Sequence, residues 1–245
     1  MVGLGTIINI ITVIVGGSIG LLVGKGLSDN LRDIVMKGLG LVTLIIGFRM
    51  ALDTKNIFIP MASMVFGGLL GEWWGIKAGL DHLGESMKRA STRLFSATGG
   101  DDTFSEGFVT ASLVFAVGPM TVLGAIQDGL TGNFKLLAIK AGLDGFAAMV
   151  FAATLGIGVL FSIFTLIVYQ GGLTAVAALA RGSLGAEEVA NSLAVGELSA
   201  TGGILIIGIG LALLEIKDVR VSNFLPAIVL APVIVILLSA FGVGL

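Results

Sequence analysis

Few side chains in this sequence can do chemistry, and most of those stand inside apolar runs. Lys140 and Asp144 lie four residues apart, which places both on one helical face and permits an intrahelical ion pair. Such a pair either neutralises itself and holds helices together, or serves as a proton relay or a counter-charge to a substrate. Glu197 is a carboxylate deep in another apolar run. Charge is costly there, so Glu197 has to be protonated, paired or bound to a cation. It is the leading candidate for a coupling site, with Na+ beside it, and loss of uptake on Glu197→Gln is the matching expectation. Pro119 lacks an N–H and its ring clashes with the preceding turn, so with Gly118 beside it a helix should kink or unwind. Met120 and Thr121 follow that break, and Gln127 and Asp128 end the segment. Gln170 sits with Gly171 and Gly172 in a further apolar run, marking an irregular turn or a helix contact.

Two of these groups belong to matched stretches. AVGPMTVLGAI spans 116–126 and AVGELSATGGI spans 194–204, with five identities in eleven. Glu197 replaces Pro119, Ser199 replaces Thr121, and Thr201 follows. Backbone freed from helical bonding is tolerated in a bilayer only where protein buries it or it lines a cavity, so two matched breaks point to a binding site. The half-helix N-termini after each break would offer N–H groups and positive dipole ends to an anionic solute.

The composition sets these groups in a membrane. The chain has 245 residues, is 56% hydrophobic and 12% charged, with a mean hydropathy of +1.06. That is about half the charge of an average soluble domain. Its 38 glycines favour close helix approach where lipid gives no hydrophobic reward for association. Cysteine is absent and histidine occurs once, at His82, which argues against disulfides, thiolate chemistry and zinc sites. A net charge of -2 argues against nucleic acid as a partner. Without a nucleophile elbow, zincin motif or phosphate loop, no enzyme activity and no cofactor are expected. The carboxylates Asp128 and Asp144 lack the sequence context of an aspartyl protease.

Runs able to cross about 30 Å of hydrocarbon fall near 2–23, 35–52, 57–75, 104–127, 134–154, 157–180, 189–214 and 223–243. The expected fold is therefore all-α, a polytopic transmembrane helix bundle of about eight spans forming one domain, with seven as the alternative count. The split within 134–180 rests on Gly156 and Gly158, because one helix over that length would overshoot the bilayer. Residues 2–23 are too long and lack the basic flank of a cleaved signal, so they read as a span. Lys25, Arg32 and Lys37 in the first loop, and Lys77, Lys88, Arg89 and Arg93 in the third, place those loops inside and both termini outside. The stretch 77–103 is amphipathic, with Leu80, Leu83, Met87, Ala90 and Leu94 at helical steps, fitting a cytoplasmic surface helix on anionic lipid or a solvated linker. Arg49 and Glu72 read as snorkelling residues near span ends.

The matched stretches have company. Asn133 and Phe134 follow the first, Asn223 and Phe224 the second, while VFGGL at 65–69 and YQGGL at 169–173 precede them. Copies at 57–154 and 157–243 would be offset by three spans, hence inverted, with two broken helices meeting near the midplane. A second register, pairing Gly38–Gly67 with Ala200–Pro232, is also odd in its offset and also inverted.

The run from Gly118 to Gly129 (GPMTVLGAIQDG), with Leu143–Gly145, Tyr169–Gly171 and the glycine-rich Gly202–Gly208, resembles the YqgA-like family of bacterial inner-membrane proteins, whose domain has no assigned function. The resemblance covers essentially the whole chain. It implies a bacterial plasma-membrane location and supplies no substrate. The residues themselves point to a secondary transporter of a small polar or anionic solute coupled to H+ or Na+, assembled as a homo-oligomer. The alternatives are an ion or small-solute channel and a structural or signalling membrane protein.

Overall fold

The computed structural model describes residues 2–24, 26, 28–79, 82, 104–116, 119–179, 192–217 and 219–241. Apolar runs of this length, in lipid, must satisfy their backbone internally, and among the described residues they do so as helices. The helices are α1 (Leu4–Gly24), α2 (Asp29–Ala51), α3 (Phe58–Trp74), α4 (Phe104–Ala116), α5 (Pro119–Thr131) and α6 (Lys135–Leu155). There follow α7 (Gly158–Thr165), a π-helical segment (Leu166–Gly171), α8 (Gly172–Leu179), α9 (Leu193–Leu213), a 3-10 turn (Val221–Phe224) and α10 (Leu225–Ala240). Among the described residues six helical stretches are long and apolar enough to cross a membrane, or seven where the bent pair α4–α5 counts as one span. The 17-residue α3 occupies the remaining expected span and ends in Trp73 and Trp74, exposed as interfacial anchors are. The chain is thus an all-α membrane bundle. Residues 83–103, most of the expected amphipathic surface helix, and Gly118 lie outside the described residues.

Two compact units emerge, one of Met1–Val35 with Asp81–Ala190, the other of Met36–Leu80 with Asn191–Leu245. In the first unit α1 and α6 run parallel in close contact. Gly5 meets Leu137, Gly16 meets Gly145, Gly20 meets Met149 and Gly24 meets Ala153. Glycine is required there by space, since a Cβ on Gly16 would stand 1.9 Å from the Gly145 carbonyl oxygen. Also parallel, α4–α5 runs beside the α7–α8 span. Phe104 stacks edge-on against Phe161 at 5.1 Å, Ser112 bonds Thr165, and Gly129 abuts Thr174 and Ala177. Contact over the whole length fits α4–α5 as one span bent by 69° at its break.

In the second unit α3 and α10 are antiparallel, with Gly67 on Ala227 and Gly71 on Asn223. Also antiparallel, α2 and α9 pack Gly40 on Gly210 and Gly47 on Gly203. Ile59, Ala231 and Val235 form the buried apolar cluster.

The two matched stretches behave differently. The first is broken at Pro119 as expected. The second is not, which corrects the expectation of two matched breaks: α9 runs uninterrupted from Leu193 to Leu213 through Gly196, Glu197, Gly202 and Gly203. Glycine lowers helix propensity by about 1 kcal/mol but keeps its N–H, whereas proline costs about 3 kcal/mol and removes the donor. Only the copy carrying proline breaks. The other irregularity is the π segment, at Gln170 and Gly171.

Candidate functional site

The break at Pro119 leaves a debt that Thr121 settles. In a continuous helix the Phe115 carbonyl would accept from the N–H at 119, which proline lacks. Instead the Thr121 hydroxyl donates to it at 3.1 Å, both groups buried. The freed backbone is therefore not wholly open to a ligand. Met120 and Gln127 are half-buried, and the Gln127 carbonyl accepts from Thr131.

Asp128, fully buried, accepts from the backbone N–H of Gly3 (3.2 Å) and of Gly5 (3.0 Å). These are donors that the first turn of α1 cannot satisfy internally, and a carboxylate there also meets the positive end of the helix dipole. Glu197 does the same work in the second unit. Its carboxylate accepts from the Thr54 hydroxyl (2.6 Å) and from the N–H groups of Lys55 (2.7 Å) and Asn56 (3.1 Å), in the turn leading to α3. Both carboxylates latch a helix start. Near Glu197 on α9, the buried hydroxyls of Ser199 and Thr201 have no hydrogen-bond partner.

The richest polar cluster in the first unit joins three elements. Lys140 and Asp144 form the expected buried ion pair on α6. From α1, Asn9 donates through Nδ2 to Asp144 Oδ2 (2.9 Å) and to Gln170 Oε1 (3.1 Å). From the π segment, Gln170 donates through Nε2 to the Thr6 hydroxyl (3.2 Å). Asn9 and Gln170 are fully buried, and Asn9 Oδ1 has no partner. Within an α-helix Gln170 would follow the regular 3.6-residue turn. The π segment inserts extra backbone and so re-aims it, a device common at functional sites. Both halves of the broken span touch the π segment, as does α1.

The structure thus brings together Lys140, Asp144 and Gln170 from among the expected site residues. Asp128 is engaged at the start of α1, while Glu197, Ser199 and Thr201 belong to the other unit. Sequence reasoning missed Asn9 and Thr6. Their signal was present: the buried face of α1 reads Gly5, Asn9, Val13, Gly16 or Gly17, Gly20 and Gly24 at three- and four-residue steps. An amide on a glycine-packed face has to meet something polar. Glu72 does more than snorkel, bonding Asn223 Nδ2 at 2.6 Å and pairing with Arg220 at 3.4 Å.

Comparison with known proteins gives a family and no activity. A family model described as "Protein of unknown function (DUF554)" matches residues 4–236. The "Uncharacterized membrane protein YdfK" of Bacillus subtilis (strain 168) is 29% identical over 242 residues, covering 97% of this chain and 98% of the relative. The "Uncharacterized protein YqgA" of Escherichia coli (strain K12) is 29% identical over 231 residues, covering 93% and 94%. No solved structure matches. The match along nearly the whole chain, on a bundle of membrane-spanning helices, places this protein in the DUF554 family, membrane proteins of unknown function among its relatives.

Proposed function

We propose that the protein is a secondary transporter of a small polar or anionic solute, coupled to H+ or Na+, in the bacterial plasma membrane. The observation that carries this reading is the buried chain Thr6, Gln170, Asn9, Asp144 and Lys140, built on a π segment beside a broken span. Ionisable groups inside spans are expensive and mark ion or substrate pathways. The ammonium of Lys140 gives an anionic group a partner, and Asp144 gives a cation one. Glu197 is set aside as coupling group, because its carboxylate already accepts from three donors at the start of α3.

An inverted repeat belongs to the same proposal. Phe134 and Phe224, which follow the landmark asparagines, share one backbone conformation (φ -90°, ψ 3° and φ -91°, ψ 0°) at the start of α6 and α10. That likeness supports a common origin of 104–155 and 193–240, and an offset of three crossings, with α6 and α7–α8 between the matched stretches, would invert one copy.

The test has two stages. Purified protein is screened for thermal stabilisation by amino acids and small organic acids, since a ligand of the folded state raises its stability by mass action. The strongest stabiliser is then followed, labelled, into proteoliposomes under an imposed H+ or Na+ gradient. Saturable, gradient-dependent uptake lost in Asp144→Asn is expected. Non-saturating flux indifferent to both gradients would select the channel reading, and no flux at all would overturn transport.

A further inference from the structure

We infer that Asp144, Asn9 and Gln170 form a binding site for a monovalent alkali cation of sodium size. The inference rests on the proposed coupling role of this cluster and names its ion. Asp144 Oδ2 and Gln170 Oε1 converge on one atom, Asn9 Nδ2, at 2.9 and 3.1 Å. Two acceptors thus point at the place where a donor now stands. Thr6 holds this arrangement, because its hydroxyl oxygen accepts a hydrogen bond from Gln170 Nε2 and so fixes Oε1 toward Asn9.

The Asn9 amide satisfies both oxygens but leaves its own Oδ1 buried and unpartnered. A half-turn of the amide would place Oδ1 beside the other two oxygens. Three oxygens facing one another repel unless a cation lies among them, and with a cation each finds a partner. Asn9 is therefore the switch between an empty site closed by its NH2 and a filled site lined by its carbonyl. Thr6 is a positioning residue.

Lys140 supplies the competition, because its ammonium bonds the same Asp144 Oδ2 that the cation would take. The cation therefore has to displace the ammonium from that oxygen. Among the described residues, the elements packed on this pair bring neutral groups to it, Asn9 and Thr6 from α1 and Gln170 from the π segment; Asp128 is turned to the start of α1. A divalent ion fits poorly, since calcium sites gather six to eight oxygens, usually with several carboxylates.

The experiment uses the full chain in nanodiscs, at constant ionic strength in choline chloride, with no solute present. Unfolding temperature is followed as NaCl, LiCl or KCl replaces choline. Expected is saturable stabilisation by Na+ and Li+ exceeding that by K+. Asn9→Leu should lose the Na+ response. Lys140→Met, which keeps the carboxylate and removes the competitor, should bind Na+ at lower concentration. An identical response to NaCl and choline chloride overturns the inference, as does a Na+ response that persists in Asn9→Leu. The readout is equilibrium binding, so it stands or falls separately from transport: Na+ binding with no solute uptake defeats the transporter reading alone, and uptake without Na+ binding defeats this one alone.

Discussion

Two buried carboxylates in this protein have opposite surroundings, which sets the roles proposed for them apart. Glu197 faces three donors, whereas Asp144 faces a lysine and an amide that also serves a second acceptor. Glu197→Gln keeps the volume but leaves one acceptor oxygen and an NH2 before three donors. A loss of about 1–3 kcal/mol is expected, read as a lower unfolding temperature, with uptake per folded molecule retained. Lost uptake at unchanged stability would instead make Glu197 the coupling group. Thr121→Val, nearly isosteric, should cost about 1 kcal/mol by stripping the Phe115 carbonyl of the hydroxyl that replaces the missing N–H. The same unfolding measurement checks it; no change would mean the carbonyl is satisfied another way. At this scale the sequence was partly legible. Lys140 and Asp144 follow from helical spacing, because both ends of the pair lie on one helix. The partners Asn9 and Gln170 are 161 residues apart, and nothing local records which amide meets which carboxylate. Only the glycine stripe of α1, which marks a packed face, narrowed the choice.

Helix contacts here are set by glycine, and they are testable one methyl group at a time. A Cβ on Gly16 would lie 1.9 Å from Gly145 O, and one on Gly20 would lie 2.1 Å from Met149 O. Backbone cannot swing aside as a side chain can. Gly16→Ala should therefore destabilise by about 1–3 kcal/mol or more through forced separation of α1 and α6. Gly142→Ala is the control: nothing lies within 4 Å of its Cβ, so the substitution should be neutral or gain up to about 1 kcal/mol in helix propensity. Unfolding in one detergent, with both variants side by side, decides it. Equal effects would mean that glycine content rather than contact governs stability. Helix boundaries were legible because apolar length, Gly156 (φ 78°) and Pro119 act locally. The continuity of α9 was not, since its glycines read as breaks in sequence but serve as contact points for α2 at Gly47 and Gly40. A glycine that ends a helix and one that admits a neighbour look alike until the neighbour is known. The π segment hides for a related reason, because an extra residue in a helical turn changes no composition.

For the whole chain, the directions of packed helices constrain how often it crosses the membrane. Within one unit α1 is parallel to α6, and α4–α5 is parallel to α7–α8; within the other, α2 opposes α9 and α3 opposes α10. Eight alternating crossings reproduce all four relations, with α4–α5 counted once. If α4–α5 turned back instead, α6 would oppose α1. The absence of cysteine makes a direct check available, because single cysteines can be read against no background. Exposed positions Ser28, Leu52, Lys135 and Lys217 sample the loops after α1, α2, α5 and α9. With both termini outside, a membrane-impermeant maleimide applied to intact cells should label cysteines at Leu52 and Lys135, and should reach those at Ser28 and Lys217 only after permeabilisation. The reverse pattern at all four would keep the count and flip the termini inward. Labelling of Lys135 together with Ser28 would remove one crossing between α2 and α6, contradicting the parallel contact of α1 with α6. Labelling of Lys217 together with Lys135 would leave an even number of crossings between those two points. The matched stretches near Pro119 and Glu197 would then run in the same direction, and a repeat inverted across the membrane could not be built from them.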